Sequence, residues 1–264
     1  GLLTKEEGWL KDPVTFLESF PANKYSYDEF GNLKTLTDAL NHTSTTNYDA
    51  TYHIYPVKVT NALNQSVQTE YYGVDGVPLD DGAGLKGIFG QVKSIKDPNQ
   101  VQAFNVYDQL GRTQKQIGPY DTVASPGASY EYDLSLRPIK LTKHVKQTYA
   151  PATYLDTYQF LDGLGRVIET KTPAQDDPQT QSPRQIILGI TKYDSRGQVK
   201  EKYLPYFVPA SPDYVLPDYQ TPHAIFEYDP MARLVKAINP DLTFSTVIYD
   251  DWVITKTDEN SHVK

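Results

Sequence analysis

Apolar and polar residues alternate in short stretches along most of this chain. The alternation rests on aromatic or aliphatic side chains two positions apart, at Tyr25/Tyr27, Tyr130/Tyr132, Phe226/Tyr228 and Val247/Tyr249. A period of two is that of a β-strand with one face turned to a core. The pattern therefore predicts a succession of short strands from Tyr25 onward.

The first segment has a different pattern. Asp12 is an N-cap residue type, and Pro13 follows it at what would be the first helical position. Apolar residues come next at Val14, Phe16 and Leu17. Because Pro21 would end a helix, the sequence predicts a helix of about two turns near Asp12 to Phe20.

A degenerate motif, Tyr-Asp-x-x-Gly-Arg, recurs after the alternating stretches. Its copies are Tyr107-Asp108-Gln109-Leu110-Gly111-Arg112, Asp162-Gly163-Leu164-Gly165-Arg166, Tyr193-Asp194-Ser195-Arg196-Gly197-Gln198, Tyr228-Asp229-Pro230-Met231-Ala232-Arg233 and Tyr27-Asp28-Glu29-Phe30-Gly31-Asn32. A worn copy at Gly90-Gln91 has no Tyr-Asp before it. Proline follows the glycine position by eight residues at 98, 119, 173, 205 and 240, and Ala39 takes that place in the first copy. Equal offsets indicate one supersecondary unit copied along the chain.

The motif has the composition of a tight turn. An aspartate side chain can accept hydrogen bonds from backbone N–H groups ahead of it, and glycine can take a positive φ. A large apolar residue follows the turn at Leu33, Val92, Val167, Val199 and Leu234. Since proline cannot donate to a ladder, the later proline ends the second strand. Each copy is thus predicted to be a β-hairpin, and hairpins must pair edge to edge because none can bury both faces alone.

The predicted fold is all-β, an extended array of antiparallel hairpins with one short N-terminal helix. The domain boundaries that we expect are an N-terminal segment over residues 1–24 and a continuous hairpin array over residues 25–264. The spacing of the repeated aspartates varies from 21 to 35 residues, so insertions should lie in loops. The sequence starts at Gly1 and stops just after a repeat opens. We therefore expect it to be a piece of a longer protein.

Composition and charge narrow the class of protein. With 39% hydrophobic and 22% charged residues, the chain of 264 residues fits a packed domain better than disorder. A net charge of −8 without a lysine or arginine run disfavours a nucleic-acid partner. The absence of cysteine excludes disulfides, and no apolar run approaches the roughly 18 residues of a membrane span. The 21 tyrosines against 9 phenylalanines suit a sheet with a half-wet surface.

Charged motif residues have a catalytic and a structural interpretation. A pair of aspartates could hydrolyse a glycosidic bond, but a catalytic pair is unique and these aspartates recur once per copy. Turn capping is the favoured interpretation. Arg112, Arg166 and Arg233 could clamp phosphate or carboxylate. Pairing with a neighbouring repeat's acid or stacking on a tyrosine is favoured, as is usual in an array.

Other candidate chemistry is sparse. The segment Asp75 to Gly84 resembles a calcium loop in composition but lacks the closing glutamate of an EF-hand. A solvated glycine-rich turn is favoured there, and metal binding stays open. The histidines, at 42, 53, 144, 223 and 262, form no metal-ligand pair in sequence. We therefore predict no catalytic, cofactor or metal site, and we expect that the chain is not an enzyme.

The residues predicted to matter are those of a structural repeat. They are Tyr27, Asp28, Gly31, Tyr107, Asp108, Gly111, Arg112, Asp162, Gly165, Arg166, Tyr193, Asp194, Gly197, Tyr228, Asp229 and Arg233. Together with the turns Lys96-Asp97-Pro98-Asn99 and Asn239-Pro240-Asp241, these motifs resemble the YD-repeat, or Rhs-repeat, family. The resemblance covers roughly Tyr25 to Lys264. The family includes Rhs toxins, insecticidal toxin complexes and teneurins.

The resemblance implies a fold and a function. The fold would be a curved β-sheet, a section of a hollow shell or cocoon, and the chain a structural scaffold that encapsulates or presents a toxin or effector polypeptide. The implied partners are neighbouring repeats of the parent chain and an encapsulated toxin polypeptide, and the implied location is secreted or cell-surface. The family's terminal core, where some members cut themselves, has no counterpart here, so no autoprotease role is implied.

Two further functions remain open. In the first, the tyrosine-rich sheet and the inserted loops form an adhesion module that binds carbohydrate or a cell-surface receptor. An enzyme is the second, and it would need two carboxylates about 5–10 Å apart in a cleft.

Overall fold

The structure is a computed structural model that describes residues 1–11, 15 and 17–264. Within these residues the chain forms 23 strands and no helix. The chain divides into two compact units, Gly1–Ser129 and Tyr130–Lys264, and the division falls within one strand, Ala128–Asp133.

In the first unit most strands follow one another as antiparallel neighbours, and the last of them continues into residues of the second unit. They are β1 (Lys5–Glu7), β2 (Leu10–Lys11), β3 (Glu18–Ser19), β4 (Ala22–Tyr27), β5 (Leu33–Thr37), β6 (Thr43–Tyr48), β7 (Pro56–Thr60), β8 (Ser66–Tyr71), β9 (Val92–Lys96), β10 (Gln102–Tyr107), β11 (Thr113–Ile117) and β12 (Ala128–Asp133). The main sheet has the order β1-β4-β5-β6-β7-β8-β9-β10-β11-β12, and β2 pairs with β3. Neighbours in sequence are neighbours in space, as edge-to-edge pairing of hairpins predicts.

The second unit contains the later repeats. Its strands are β13 (Ile139–Tyr149), β14 (Ala152–Leu161), β15 (Val167–Pro173), β16 (Arg184–Leu188), β17 (Thr191–Tyr193), β18 (Val199–Tyr203), β19 (Tyr206–Pro209), β20 (His223–Tyr228), β21 (Leu234–Ile238), β22 (Phe244–Asp250) and β23 (Val253–Thr257). They form the order β13-β14-β15-β16-β19 and a separate sheet β17-β18-β20-β21-β22-β23. The predicted all-β class with antiparallel pairing is confirmed.

The helix predicted near Asp12 to Phe20 is not seen. Residues 12–14 and 16 lie outside the described residues. Glu18–Ser19, which that helix would contain, is strand β3 and pairs with β2 in the register Leu10↔Ser19. Capping signals are local and weak, so a strand partner supplied by the tertiary structure can override them.

A β-bulge marks the tyrosine position of the repeats. The register shifts just before Tyr27, Tyr48, Tyr71, Tyr107, Leu161, Tyr193 and Tyr228. A bulge bends its strand and re-aims the side chain that follows it. The bulge therefore interrupts the alternation of side chains between the two faces of the strand at the same point in each copy. The turn begins directly after this position.

Buried apolar side chains are few. In the first unit they are Tyr72, Val74, Val106, Ile117 and Ala128, and in the second Phe160, Ile187, Ile190 and Tyr203. Strands β4 to β8 have no fully buried residue. Hydrogen bonds at the strand ends must therefore do much of what a thick core does in other domains.

Candidate functional site: the turn ladder

Each motif aspartate closes the same turn with its own backbone and carboxylate. In the copy at Asp108, the backbone N–H of Asp108 donates to the carbonyl of Arg112 at 2.9 Å, and Gly111 N–H donates back to Asp108 O at 3.0 Å. The Asp108 Oδ1 atom accepts from the N–H groups of Leu110 and Arg112, both at 2.9 Å. Gly111 has a φ of 78°, the left-handed region that glycine adopts at low cost.

The other copies repeat this geometry. The carboxylates of Asp28, Asp162, Asp194 and Asp229 accept from the second and fourth N–H groups that follow, at 2.8–3.0 Å. The glycines of these turns, Gly31, Gly165 and Gly197, all have positive φ, and Ala232 stands in the same position with a φ of 68°. The aspartates thus act as turn caps, and their acceptor sites are occupied by the protein's own donors.

The motif arginines bind their own aspartate. The Nε–Oδ2 distance is 2.6 Å for Arg112–Asp108, 2.8 Å for Arg166–Asp162 and 2.7 Å for Arg233–Asp229. Two kinds of partner were expected for these arginines, a neighbouring repeat's acid or a tyrosine ring. The acid in these three pairs is that of the arginine's own turn, because the turn brings residues four apart within reach of each other. The expected stacking is found for Arg166, whose Cζ lies 3.8 Å from the centre of the Tyr193 ring, and for Arg233 over Tyr249 at 4.3 Å.

Hydrogen bonds lower the pKa of these carboxyls. The side chains of Asn32 and Arg166 are the leading cause for Asp28 and Asp162, and the backbone N–H groups of Gln198 and Arg233 for Asp194 and Asp229. For Asp108, burial opposes ionisation, but the bonds from Arg112 outweigh it and the pKa is still lowered. Each group therefore stabilises the fold above its ordinary pKa, and the stabilisation is lost as the pH falls through the lowered value.

The last motif residue also reaches the next turn. Four side chains each donate to a backbone carbonyl of the following turn. These are Asn32 to His53 O at 2.6 Å, Gln91 to Gly111 O at 2.8 Å, Arg166 to Gly197 O at 3.4 Å and Gln198 to Ala232 O at 2.8 Å. We call these four bonds the turn ladder. They connect one hairpin to the next at the strand ends, beyond the main-chain pairing of the sheet.

Tyrosine hydroxyls bind in the opposite direction along the first unit. Tyr48, Tyr71 and Tyr107 donate to the carbonyls of Leu33, Pro56 and Val92, at 3.2, 3.3 and 3.0 Å. Each acceptor stands 15 residues earlier, at the start of the strand that follows the preceding turn. Tyr27 donates to Leu3 O at 2.7 Å. Successive repeats in this unit are therefore connected in both directions by side chains.

The worn copy at Gly90 is an interrupted turn. Tyr72 N–H donates to Gln91 O at 2.9 Å and Gly90 N–H donates to Tyr72 O at 2.8 Å, the same two bonds that close the other turns. Tyr72 thus stands where the aspartate would be, and residues 73–89 are inserted between the two halves. The sequence pattern missed this copy's first half because the insertion separates it from Gly90.

Several turn residues were missed as site residues. Asp49 is 1% exposed and accepts from the N–H groups of Ile54 and Tyr55, both at 2.9 Å. Burial opposes its ionisation, but backbone N–H groups of residues 52–55 outweigh burial and lower the pKa of Asp49 to about 2. Turns of the same kind lie at the opposite strand ends, at Asp38, Asn61, Asp97, Asn239 and Asp258, and only those at Asp97 and Asn239 were predicted from the sequence. The left-handed residue there is Asn41, Asn64, Gln100, Leu242 or Ser261, so a search for glycine does not find them.

The remaining candidates show no separate chemistry. In the loop after β8, Asp75 caps the N–H groups of Ala50 and Thr51, and Asp81 caps Ala83 and Leu85. Among residues 1–11, 15 and 17–264, no group of three or more His, Asp or Glu side chains could hold a metal ion. In the same part of the chain, no helix is long and apolar enough to cross a membrane.

Known sequences and known structures give different results for this chain. No protein-family model and no curated protein sequence matches it. The crystal structure of TcdB2-TccC3 is similar over 96% of this chain, with 17% identity and a TM-score of 0.67. The crystal structure of TcdB2-TccC3-Cdc42 is similar over 98% of this chain, with 16% identity and a TM-score of 0.65. The structure of the Photorhabdus luminescens Tc holotoxin pore is similar over 97% of this chain, with 15% identity and a TM-score of 0.65.

The comparisons establish the fold. These neighbours are Rhs/YD-repeat shell proteins, and this chain has their fold. The resemblance predicted from the motifs is thereby confirmed at the level of the fold. The chain spans only 15% to 17% of the length of those solved chains.

We expect Asp108→Ala to lower the free energy of unfolding by about 1 kcal/mol, because the loss of a capping carboxylate leaves two N–H groups to water. Asp108→Asn, which keeps an acceptor oxygen, should lose less. Urea unfolding of the three proteins measures the difference. Unchanged stability of Asp108→Ala, accompanied by loss of a hydrolytic activity, would contradict the structural role of Asp108.

Proposed function

We propose that this chain is a wall section of a hollow repeat shell that encapsulates or presents a toxin or effector polypeptide. The turn ladder is the observation on which this rests. Its four bonds each connect one turn to the following turn at the strand ends, a contact that suits a wall made of one layer of sheet. A binding module or an enzyme has no comparable need for a contact of this kind that recurs from copy to copy.

The exposed surface supports a wall. Strands β4 to β8 leave both of their faces at least partly accessible. A sheet with two accessible faces can separate an interior from an exterior. Burial in the first unit is local, as at Val74 in the inserted segment 73–89.

We also propose that the section has no catalytic role. The repeated carboxylates are hydrogen-bonded to the backbone of their own turns, and their pKa values are lowered. A general acid needs a raised pKa and free access to its substrate. The parent polypeptide is proposed to be secreted or displayed at the cell surface, in line with the toxin-complex neighbours.

The adhesion function remains the second candidate. Sugar binding by stacking would favour a coplanar platform of exposed rings. The ring pairs Tyr52–Phe89, Tyr55–Phe89 and Tyr72–Tyr107 are instead nearly perpendicular, at 84°, 83° and 85°. These pairs favour packing of rings against one another over presentation of a flat surface to a ligand.

Protease digestion of the longer protein that contains this section tests the proposal. In a closed shell, the enclosed polypeptide should resist proteolysis, and Asp108→Ala should make it more sensitive by weakening the wall. Asp108→Asn serves as the matched control. A glycan array probed with the section alone tests adhesion. Specific glycan binding together with an unprotected polypeptide would reject the wall in favour of adhesion.

The outer edge of β23 predicts self-association or pairing with a further strand. Lys256 exchanges two backbone hydrogen bonds with Lys264, at 3.0 and 2.9 Å, so this edge accepts an antiparallel strand. Among the described residues, no strand pairs with the outer side of Val253 to Thr255. Unpaired edges recruit other chains. Amide hydrogen exchange over Val253 to Thr255 should therefore slow as protein concentration rises. Strong protection at all concentrations in a strictly monomeric sample would contradict an open edge.

A further inference from the structure

In the second unit, one face of the sheet formed by β14, β15, β16 and β19 is covered by residues 210–222, which we call the strap. The strap contains no strand among its described residues. It is held by Ser211 N–H on Gln185 Oε1 at 3.1 Å and by Asp218 N–H on the Tyr206 hydroxyl at 2.9 Å. The Tyr214 ring packs against Phe160, with ring centres 5.3 Å apart.

One acidic and one basic side chain lie beneath the strap. Glu169 and Lys171, two positions apart on one face of β15, are both 0% exposed. The Lys171 ammonium donates to the Asp213 carbonyl of the strap and lies 5.8 Å from the centre of the Phe160 ring. Neither carboxyl oxygen of Glu169 has a hydrogen-bond partner. The backbone N–H of Val215 in the strap favours the charged form of Glu169, against the effect of burial.

This environment favours a neutral carboxyl. An ionised carboxylate without donors is costly inside a protein. Burial raises the pKa of Glu169 to about 7, against an opposing effect of Lys171, and burial also lowers the pKa of Lys171.

Other titratable and charged groups face this site from each packed element. They are Tyr158 on β14, Tyr206 on β19, Asp213, Tyr214 and Asp218 on the strap, and Lys140 on β13, which donates to Pro212 O. Burial raises the pKa of Tyr158, Tyr206 and Tyr214, so these phenols stay neutral below pH 9. Lys171 is the group that opposes the protonation of Glu169, and it is already bound to the strap backbone.

We propose that the strap is a pH-operated cover, closed over Glu169 while that side chain is protonated and opening as the carboxyl loses its proton to solvent. An open strap gives the carboxylate the water that the closed site denies it. Opening would also expose the Phe160 and Tyr214 rings, which are apolar surface that a second polypeptide could use.

The direction of the pH dependence follows from the number of protons that the closed and open states bind. Because the pKa of Glu169 is raised in the closed state, the closed state binds more protons than the open one between the two pKa values. Its stability is therefore full below the ordinary pKa and falls as pH rises through about 7. With an ordinary carboxyl in the open state, the opening equilibrium constant should rise about tenfold from pH 6 to pH 8.

Hydrogen exchange of the strap amides at pH 6 and pH 8, corrected for the intrinsic rate, tests the proposal on the whole chain. The wild-type protein should show about tenfold more opening at pH 8. The Glu169→Gln variant, whose side chain stays neutral, should show the same strap opening at pH 6 and pH 8. Glu227→Gln removes an exposed carboxyl of the same unit and should keep the wild-type response.

Equal strap exchange at both pH values in the wild-type protein would overturn the proposal, as would a response that survives in Glu169→Gln. If Glu169→Gln does not fold, the carboxyl carbon of Glu169 can be followed by NMR in the wild-type protein. A titration midpoint near 4 would then show that the strap does not shield this carboxyl.

Discussion

Replacement of Asp49 by alanine is expected to lower the free energy of unfolding of the first unit by about 3 kcal/mol. Asp49 is almost fully buried, and its carboxylate accepts hydrogen bonds from the N–H groups of Tyr52, Ile54 and Tyr55. Alanine leaves these donors without their acceptor and opens a small cavity beside them. The expected loss is thus several times that of Asp28→Ala, whose turn is better exposed to water. Urea unfolding of both variants measures the ratio.

The control for Asp49 is asparagine. Asp49→Asn keeps the shape and one acceptor oxygen but removes the charge, so an intermediate loss is expected. The pH dependence is a second check. The pKa of Asp49 is lowered to about 2, so its stabilising effect is present above the ordinary aspartate pKa and disappears as pH falls from about 4 to 2. If Asp49→Ala and Asp28→Ala cost the same, the burial of Asp49 has no energetic consequence.

Gly111→Val is expected to cost about 3 kcal/mol, from two separate effects. Gly111 has a φ of 78°, which a β-branched residue adopts only with strain. A Cβ there would also lie 2.7 Å from Ile88 Cδ1 and 3.1 Å from Gln91 Nε2. The second contact would push away the side chain that forms the Gln91–Gly111 bond of the turn ladder.

Gly165 separates the two effects. It has nearly the same φ, 77°, but a Cβ there would meet no atom within 4 Å. Gly165→Val should therefore show the backbone strain alone, and the difference between the variants is the steric part. Ala232 already occupies this turn position with a φ of 68°, so a small side chain is tolerated. Equal losses at 111 and 165 would mean that Ile88 and Gln91 move aside freely.

Both predictions concern the turns that join the strands, and they bear on how a thin sheet is stabilised. A wall with few buried side chains has little hydrophobic stabilisation per hairpin, so each turn contributes a larger share of the total. Substitutions at the turns should consequently have effects on the whole unit. Exposed residues at the middle of strands β4 to β8 should tolerate replacement better.

The local structure could be predicted because its causes are local. Asp108 and Gly111 close a turn with atoms that are at most four residues apart, so residue type and spacing suffice to predict it. The alternation around Tyr25 and Tyr27 similarly predicts a strand. The proline at 240 ends β21 as expected, since it stands in the turn after Ile238. Repetition then made the interpretation specific, because one weak signal recurred many times.

Other features could not be predicted from the sequence. The turn formed by Tyr72, Gly90 and Gln91 contains an insertion, so its two halves do not read as one motif. The segment around Glu18 had a helix signal but found a strand partner in Leu10–Lys11. Arg166 was expected to pair with a neighbouring acid or to stack on a tyrosine; it stacks on Tyr193, but the carboxylate that it binds is that of Asp162 in its own turn.

The sequence by itself determined the all-β class, the hairpin unit and the capped turn, because each depends on residues close together in the chain. Only the tertiary structure decided which aspartate is buried, which side chain reaches the next turn and what covers Glu169. Asp28 and Asp49 each come directly after a tyrosine in the sequence, but how deeply each side chain is buried depends on segments far away in the chain. Burial and partners of this kind are properties of the packed chain, and residue type and spacing do not specify them.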